Sequence, residues 1–224
     1  MPERSDFTGG AKAQGTRAIA LVGPGGAGKT SLAEAILFAA GAIDRQGSVD
    51  AGTTVGDASP EARARGGSTE LNLMRFSYGG DDYGIADCPG ATGFLSDGCR
   101  ATAVCDLAIV VVDPERERVQ LAESTLRRLE AMGVPHMIFV NKIDQARGSI
   151  QAVLEALQPM SASPLIARQI PMRSKDSGGE KITGFVDLAL ERAFHYRPGK
   201  PSEQAEIPEA LAPAASRQRG GGGH

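Results

Sequence analysis

The chain has 224 residues, of which 41% are hydrophobic, and its 24 basic and 27 acidic side chains leave a formal net charge of −3. This composition provides a normal core and lacks the overall basic field that broad nucleic-acid binding uses, so we expect no direct nucleic-acid binding. No stretch approaches the roughly 20 apolar residues that span a bilayer, and the polar N-terminus has no secretory pattern. We therefore expect a cytoplasmic location without a membrane partner. The cysteines, Cys88, Cys99 and Cys105, have no metal-ligand spacing, and we expect reduced thiols.

A glycine-rich loop separates a short apolar segment, residues 18–22, from a helix-like segment, residues 31–40. Glycines in this context let the backbone direct its N–H groups at phosphate oxygens, and the following helix presents its positive end to the same anion. Lys29 would reach the β- and γ-phosphates, and the hydroxyl of Thr30 would bind Mg²⁺. The predicted nucleotide-binding residues are Gly23, Pro24, Gly25, Gly26, Ala27, Gly28, Lys29, Thr30 and Ser31.

Short apolar runs alternate with amphipathic stretches along the rest of the chain, as in a parallel sheet covered by helices. A long polar segment, residues 41–67, follows the first helix and is typical of a nucleotide-sensing switch. After this segment, the spacing of apolar residues and turn-forming glycines predicts a hairpin over residues 71–86, buried strands at 106–112 and 136–140, and a helix over 117–132. The predicted fold is an α/β P-loop sandwich whose mostly parallel sheet has one antiparallel edge strand.

Asp87, Cys88, Pro89 and Gly90 follow the returning strand of the hairpin. Open α/β sheets bind ligands at this carboxyl edge. Asp87 can hold Mg²⁺ through a water, and Gly90 can donate its backbone N–H to a γ-phosphate. The motif by itself is an ordinary turn, but its place after a phosphate-binding loop and a hairpin favours a nucleotide switch.

Asn141, Lys142, Ile143 and Asp144 directly follow the strand at 136–140. The Asp144 carboxylate can accept from the N1–H and the 2-amino group of guanine, which adenine lacks, so a site of this kind rejects adenine. Asn141 would brace the base, and the stem of Lys142 would cover one face of the ring. Three motifs in this order predict binding of GTP or GDP with Mg²⁺ and disfavour an ATP-using protein.

Residues 17–198 resemble the guanine-nucleotide domain of bacterial elongation factor G and its elongation factor G-like relatives. The resemblance rests on the three motifs and on residues 28–38, 47–52, 134–135 and 183–188, together with Asp57, Arg65 and Gly66. It implies a translational GTPase, with GTP hydrolysis on the ribosome coupled to movement of tRNA and mRNA, and the ribosome as partner.

Among the positions that depart from the family pattern, two bear directly on hydrolysis and on Mg²⁺. Ala91 stands where the family usually has a histidine that orients the attacking water, and a methyl group cannot do this, so we expect slow hydrolysis and assign no catalytic residue. Ser68 aligns with the Mg²⁺-sensing threonine of the family, although Thr69 could serve after a one-residue shift, or both hydroxyls could simply cap the loop. The alternative function is a guanine-nucleotide-binding switch or remnant without efficient hydrolysis or translocation.

The sequence leaves two interpretations of residues 161–197. In a minimal Ras-like domain, residues 165–171, 173–175 and 185–194 would form the last strand, a base-contacting loop at Ser174 and the final helix. The resemblance of residues 183–188 instead favours the start of an inserted subdomain. We expect a flexible tail at residues 1–16, a nucleotide-binding domain at 17–160, and a low-complexity tail at 198–224.

Overall fold

The computed structural model describes residues 15–56, 70–90, 101–146, 149–176, 179–197, 199–209 and 211. The strands are β1 (Arg17–Val22), β2 (Asn72–Tyr78), β3 (Asp81–Asp87), β4 (Leu107–Val112), β5 (His136–Val140), β6 (Gln169–Asp176), β7 (Gly179–Asp187), β8 (Arg192–Arg197) and β9 (Lys200–Ala205). The α-helices are α1 (Lys29–Ala39), α2 (Arg116–Val119), α3 (Glu123–Ala131) and α4 (Ile150–Leu157), with 3-10 turns at Gln120–Ala122 and Gln158–Met160. No helix among these residues is long and apolar enough to cross a bilayer.

The first sheet has the strand order β2-β3-β1-β4-β5. Strand β1 is parallel to both β3 and β4, whereas β2 is the antiparallel edge strand. Leu21 lies opposite Asp87 in the parallel register, so β1 and β3 end at nearly the same level. The predicted α/β fold with one antiparallel edge strand is therefore confirmed, including the hairpin formed by β2 and β3.

The described residues form two compact units, one within residues 1–110 and 132–137 and the other within 111–131 and 138–224. In the first unit, an apolar cluster joins α1 to the sheet; its buried members are Leu21, Ala33, Leu37, Met74 and Ile85. In the second unit, the antiparallel sheet β6-β7-β8-β9 has a separate buried cluster of Met172, Val186, Leu188 and Ala193. Burial of these side chains holds each sheet and its loops in place.

The predicted helix over 117–132 is divided by the tight turn Gln120–Ala122, where Ala122 is fully buried. Helix α4 has no counterpart among our sequence predictions. Its N-cap is Ser149, whose Oγ accepts a hydrogen bond from the backbone N–H of Ala152 at 3.2 Å. A serine that caps an apolar helix is a recognisable signal, and it could have located this element.

The helix that the minimal-domain interpretation places at residues 185–194 is contradicted by the structure. This stretch contains the end of β7, a turn and the start of β8, and Phe185 lies opposite Phe194 with the rings stacked at 5.2 Å. The buried carboxylate of Asp187 accepts from the N–H groups of Ala189 and Leu190, and this forms the turn. Pairing between strands therefore outweighs the helical spacing of the apolar residues.

The base-contacting loop that the same interpretation places at residues 173–175 is also contradicted, because these residues lie within β6 and Ser174 pairs with Lys181. The minimal-domain interpretation depended on both this loop and the helix. The expected tail from residue 198 was wrong for Lys200–Ala205, which forms β9 by pairing with β8. Hydrogen bonds to a neighbouring strand order this segment despite its polar composition.

We predict that Gly184→Ala destabilises the second sheet by about 1–3 kcal/mol, the usual cost of overpacking. A β-carbon at this position would collide with the backbone carbonyl of Phe194 and lie 2.7 Å from Cε of Met172. Urea unfolding measures the change, with the exposed β6 variant Ser174→Ala as the matched control. Equal unfolding free energies for the two variants would contradict the close approach of β7 and β8.

Candidate nucleotide-binding site

The glycine-rich loop connects the end of β1 at Val22 to the start of α1 at Lys29. Three of its glycines have positive φ angles: 132° at Gly23, 73° at Gly26 and 93° at Gly28. Side chains rarely adopt these angles, so the loop requires glycine at these positions. Gly28 is the N-cap of α1, and the N-terminal N–H groups of this helix therefore begin directly at the loop.

Lys29 lies across the loop and is 7% exposed. Its Nζ donates hydrogen bonds to the carbonyl oxygens of Gly23 and Pro24, both at 3.0 Å. Burial lowers the pKa of Lys29, while the charges of Asp87 and Cys88 oppose this shift. A partly desolvated ammonium group at the start of a helix is suited to bind an anion.

Thr30 and Asp87 are 57 residues apart in the chain and meet through a buried hydrogen bond. The Thr30 hydroxyl donates to Oδ2 of Asp87 at 2.7 Å, and the two residues are 8% and 0% exposed. A hydroxyl and a carboxylate at this distance form the oxygen set that Mg²⁺ prefers when phosphates supply further ligands. The residues present therefore fit the predicted magnesium site. Ser68, Thr69 and Ala91 lie outside the described residues.

Gly90 approaches the glycine-rich loop closely. A β-carbon on Gly90 would lie 2.7 Å from the backbone nitrogen of Gly25 and 2.8 Å from the carbonyl carbon of Pro24, and it would also collide with Nζ of Lys29. This space admits only glycine. The structure therefore brings Gly90 together with the loop and Lys29.

The predicted guanine-binding residues form a loop after β5. The backbone N–H of Asn141 donates to the carbonyl of Val112 at 2.9 Å, and Lys142 has a left-handed backbone with φ of 51°. This conformation is uncommon outside glycine and is found often at functional sites. The side chain of Asp144 is exposed and accessible to a ligand.

Asp113 is a residue of this region that the sequence analysis missed. Its side chain is 8% exposed, and its Oδ2 accepts from Nζ of Lys142 at 3.2 Å and lies 3.5 Å from a guanidinium nitrogen of Arg118. Its Oδ1 accepts from the backbone N–H of Glu115. Asp113 directly follows the buried strand β4, and Asp87 is the last residue of β3, so both carboxylates lie at the carboxyl end of a strand. This repeated position could have identified Asp113.

Glu34 was also missed, although it is the acidic residue of a helix that is otherwise largely apolar. It is 1% exposed, and its carboxylate accepts from the backbone N–H groups of Gly47 and Val55. A buried carboxylate needs such partners. The sequence could mark Glu34 as unusual, but it could not identify partners 13 and 21 residues away.

A protein-family model described as the elongation factor Tu GTP binding domain matches residues 14–195. An elongation factor G-like protein of Synechocystis sp. is 34% identical over 203 residues, which cover 91% of this chain and 30% of the relative. Elongation factor G 2 of Streptomyces coelicolor is 32% identical over 195 residues, which cover 86% of this chain and 28% of the relative. The chain thus spans about three tenths of the length of these two relatives.

A crystal structure of a Thermus thermophilus protein is similar to this chain with a TM-score of 0.82 and 31% sequence identity. The match covers 92% of this chain and 30% of the other. The similarity in fold and the similarity in sequence therefore extend over nearly the same share of the chain.

We predict that Gly90→Ala lowers the free energy of unfolding by about 1–3 kcal/mol, because two of the three close contacts are with backbone atoms that cannot rotate away. Gly25→Ala is the matched control, since a β-carbon on Gly25 would meet only the carbonyl oxygen of Gly90 at 3.9 Å. Denaturant unfolding without ligand measures both variants. A loss of stability in Gly25→Ala equal to that in Gly90→Ala would contradict the described approach.

Proposed function

This chain belongs to the elongation factor Tu GTP-binding domain family, as its resemblance predicted, and we propose that it binds guanine nucleotide with Mg²⁺ and hydrolyses GTP slowly. The observation that carries the proposal is the hydrogen bond between Thr30 and Asp87 beside the buried ammonium of Lys29. These three residues gather a hydroxyl, a carboxylate and a cation where the start of α1 meets the end of β3. Each is the type of group that a magnesium nucleotide requires.

The first step of the proposed function is phosphate binding. Backbone N–H groups of residues 25–30, at the end of the loop and the N-terminus of α1, surround the phosphates, and Lys29 exchanges its bonds to the carbonyl oxygens of Gly23 and Pro24 for bonds to phosphate oxygens. Thr30 would hold Mg²⁺ directly and Asp87 would hold it through a water. When bound, Mg²⁺ supplies positive charge against the phosphates. Gly90 donates its N–H to the γ-phosphate in this arrangement.

The second step is recognition of the base. Asp144 accepts the N1–H and 2-amino protons of guanine, Asn141 braces the base, and the stem of Lys142 covers the ring. Asp113 supports this arrangement because it binds the Lys142 ammonium from a position that is almost fully buried. The left-handed backbone of Lys142 and its bond to Asp113 both limit where its stem can lie.

Hydrolysis is the step for which this chain is poorly equipped. Ala91 replaces the histidine that orients water in the family, and a methyl group neither donates nor accepts a proton. The loop, Lys29 and Mg²⁺ can still position the phosphates and stabilise their charge, and this supports slow hydrolysis of GTP. This substitution also favours the second candidate function, a guanine-nucleotide switch that holds GTP or GDP without efficient hydrolysis.

The ribosome is the proposed partner, because the relatives that the chain matches are named as elongation factor G and elongation factor G-like proteins. A cytoplasmic location belongs to the same proposal. The strands β6–β9 support the interpretation of residues 161–197 as part of an inserted subdomain. Co-sedimentation with ribosomes tests the partner, with the GTP- and GDP-loaded chains compared.

We predict that Asp144→Asn weakens GTP binding by roughly 10- to 100-fold, the equivalent of about 1.5–3 kcal/mol for a hydrogen bond to a charged group. Titration of the wild type and the variant with GTP, GDP and ATP measures the effect. Glu155→Gln, at an exposed position on α4, is the control that removes one negative charge elsewhere. Wild-type affinity for ATP equal to that for GTP would contradict guanine recognition.

We predict that Ala91→His raises single-turnover GTP hydrolysis in the presence of ribosomes by about 100-fold, the lower end of a general acid–base contribution. Ala91→Asn serves as the control, since it adds polar atoms that do not titrate near neutral pH. Both rates are measured with and without ribosomes at saturating GTP. A wild-type rate that already equals that of elongation factor G would overturn the proposal of slow hydrolysis.

A further inference from the structure

The carboxylate of Asp113 has a fixed orientation at the carboxyl end of β4. Asp113 follows Val112, the last residue of that strand, and precedes Pro114, which favours extended backbone at the residue before it. Its Oδ1 accepts a hydrogen bond from the backbone N–H of Glu115 at 3.1 Å, two residues further along the chain. This bond forms an Asx turn, and it leaves Oδ2 to face groups outside the turn.

The second oxygen of Asp113, Oδ2, faces the ammonium group of Lys142 at 3.2 Å. Arg118 is another cation at this oxygen, but its Nη1 lies 3.5 Å away. The side chain of Lys142 is also the less exposed of the two, 30% against 48% for Arg118. Because solvent weakens an exposed ion pair, Lys142 is the stronger partner of Oδ2.

Backbone bonding between the ends of β4 and β5 determines the spacing of Asp113 and Lys142. The N–H of Asn141 donates to the carbonyl of Val112 at 2.9 Å, so the residues that directly precede Lys142 and Asp113 are bonded to each other. Both strands end here, β4 at Val112 and β5 at Val140. The two side chains therefore meet at the edge of the sheet where ligands bind, and a bonded backbone holds them there.

Lys142 is held at both ends of its side chain. Its backbone has a φ of 51°, which sets the direction in which the side chain leaves the loop, and its ammonium group is bound by Asp113. A lysine side chain that is free to rotate has many rotamers, and ordering them opposes binding of a ligand. Fixing both ends in advance removes part of this entropy cost, so the stem is already placed before a base binds.

Asp187 shows what a similar aspartate does where it forms a turn outside any proposed ligand site. It is 4% exposed, and its Oδ1 accepts from the N–H groups of Ala189 and Leu190. Its Oδ2 binds Arg168 at 3.2 Å. Asp113 has the same burial and the same kinds of partner, but its cation belongs to the proposed base-binding loop.

We propose that Asp113 is a positioning residue that sets the affinity for guanine nucleotide through the ammonium group of Lys142. This inference rests on the proposed base-binding site at Asn141, Lys142 and Asp144. In this arrangement Asp113 does not touch the nucleotide, and it holds the stem of Lys142 against the face of the base. Its effect is therefore separate from the hydrogen bonds that Asp144 makes with the edge of the base.

Titration with GDP measures this effect in Asp113→Asn, Lys142→Met and the double variant. Asparagine can keep the turn through its carbonyl oxygen but loses the charge, and methionine keeps an unbranched stem without the ammonium group. We expect each single variant to weaken GDP binding by about 3- to 10-fold, the range for ordering one long side chain. The double variant should bind no more weakly than the single variants, because both substitutions break the same contact.

Inosine diphosphate, IDP, separates the two parts of the base site. Its base lacks the 2-amino group of guanine and so makes one bond fewer to Asp144, whereas its ring face is the same. If Asp113 acts through the stem of Lys142, Asp113→Asn weakens the binding of GDP and IDP by the same factor. Asp187→Asn is the matched control, and it should leave both affinities unchanged.

Each result supports or overturns a separate part of the inference. Wild-type GDP affinity in Lys142→Met would overturn it, even where Asp113→Asn does not fold. A loss in the double variant equal to the product of the single losses would show that Asp113 acts independently of Lys142. A larger loss for GDP than for IDP in Asp113→Asn, or an equal loss of GDP affinity in Asp187→Asn, would also overturn it. Failure of the wild type to bind any guanine nucleotide would instead overturn the proposed function, and the inference with it.

Discussion

The hydrogen bond between Thr30 and Asp87 is the contact on which the phosphate site depends. It joins the first turn of α1 to the last residue of β3, and neither group is exposed to water. Its length is set by the sheet, because the parallel register places Leu21 at the end of β1 opposite Asp87. The apolar cluster that packs α1 on the sheet therefore also determines the distance between a hydroxyl and a carboxylate.

Buried carboxylates hold each of the loops that carry proposed chemistry. Asp87 binds Thr30, Asp113 binds Lys142 across 29 residues of sequence, and Glu34 binds Gly47 and Val55. A buried carboxylate that loses its partner is costly, so each of these contacts opposes movement of its loop. The apolar cores position the strands, and these acidic side chains position the loops between them.

The parts of the structure that follow local rules were predictable from the sequence. Strands β1, β4 and β5 are apolar runs, two glycines with positive φ mark the turn between β2 and β3, and the loop before α1 has glycines where positive φ angles occur. The stretch from Phe185 to Phe194 had two interpretations because its apolar spacing fits a helix as well as two strands, and the pairing of β7 with β8 decides between them. The contacts of Glu34 and Asp113 join distant segments, and no local pattern specifies such pairs.

The glycine-rich loop and Lys29 have a geometry that would accept phosphate at the proposed site with little rearrangement. Gly23, Gly26 and Gly28 already have the angles that curl the loop, and Lys29 already lies across it. Phosphate oxygens would replace two carbonyl oxygens as partners of an ammonium group that burial has already partly desolvated. Because these groups already have the geometry that the proposed contacts need, less of the interaction energy would be spent on ordering them and more would contribute to affinity. None of these contacts involves a histidine, so the proposed nucleotide binding is compatible with the proposed slow hydrolysis.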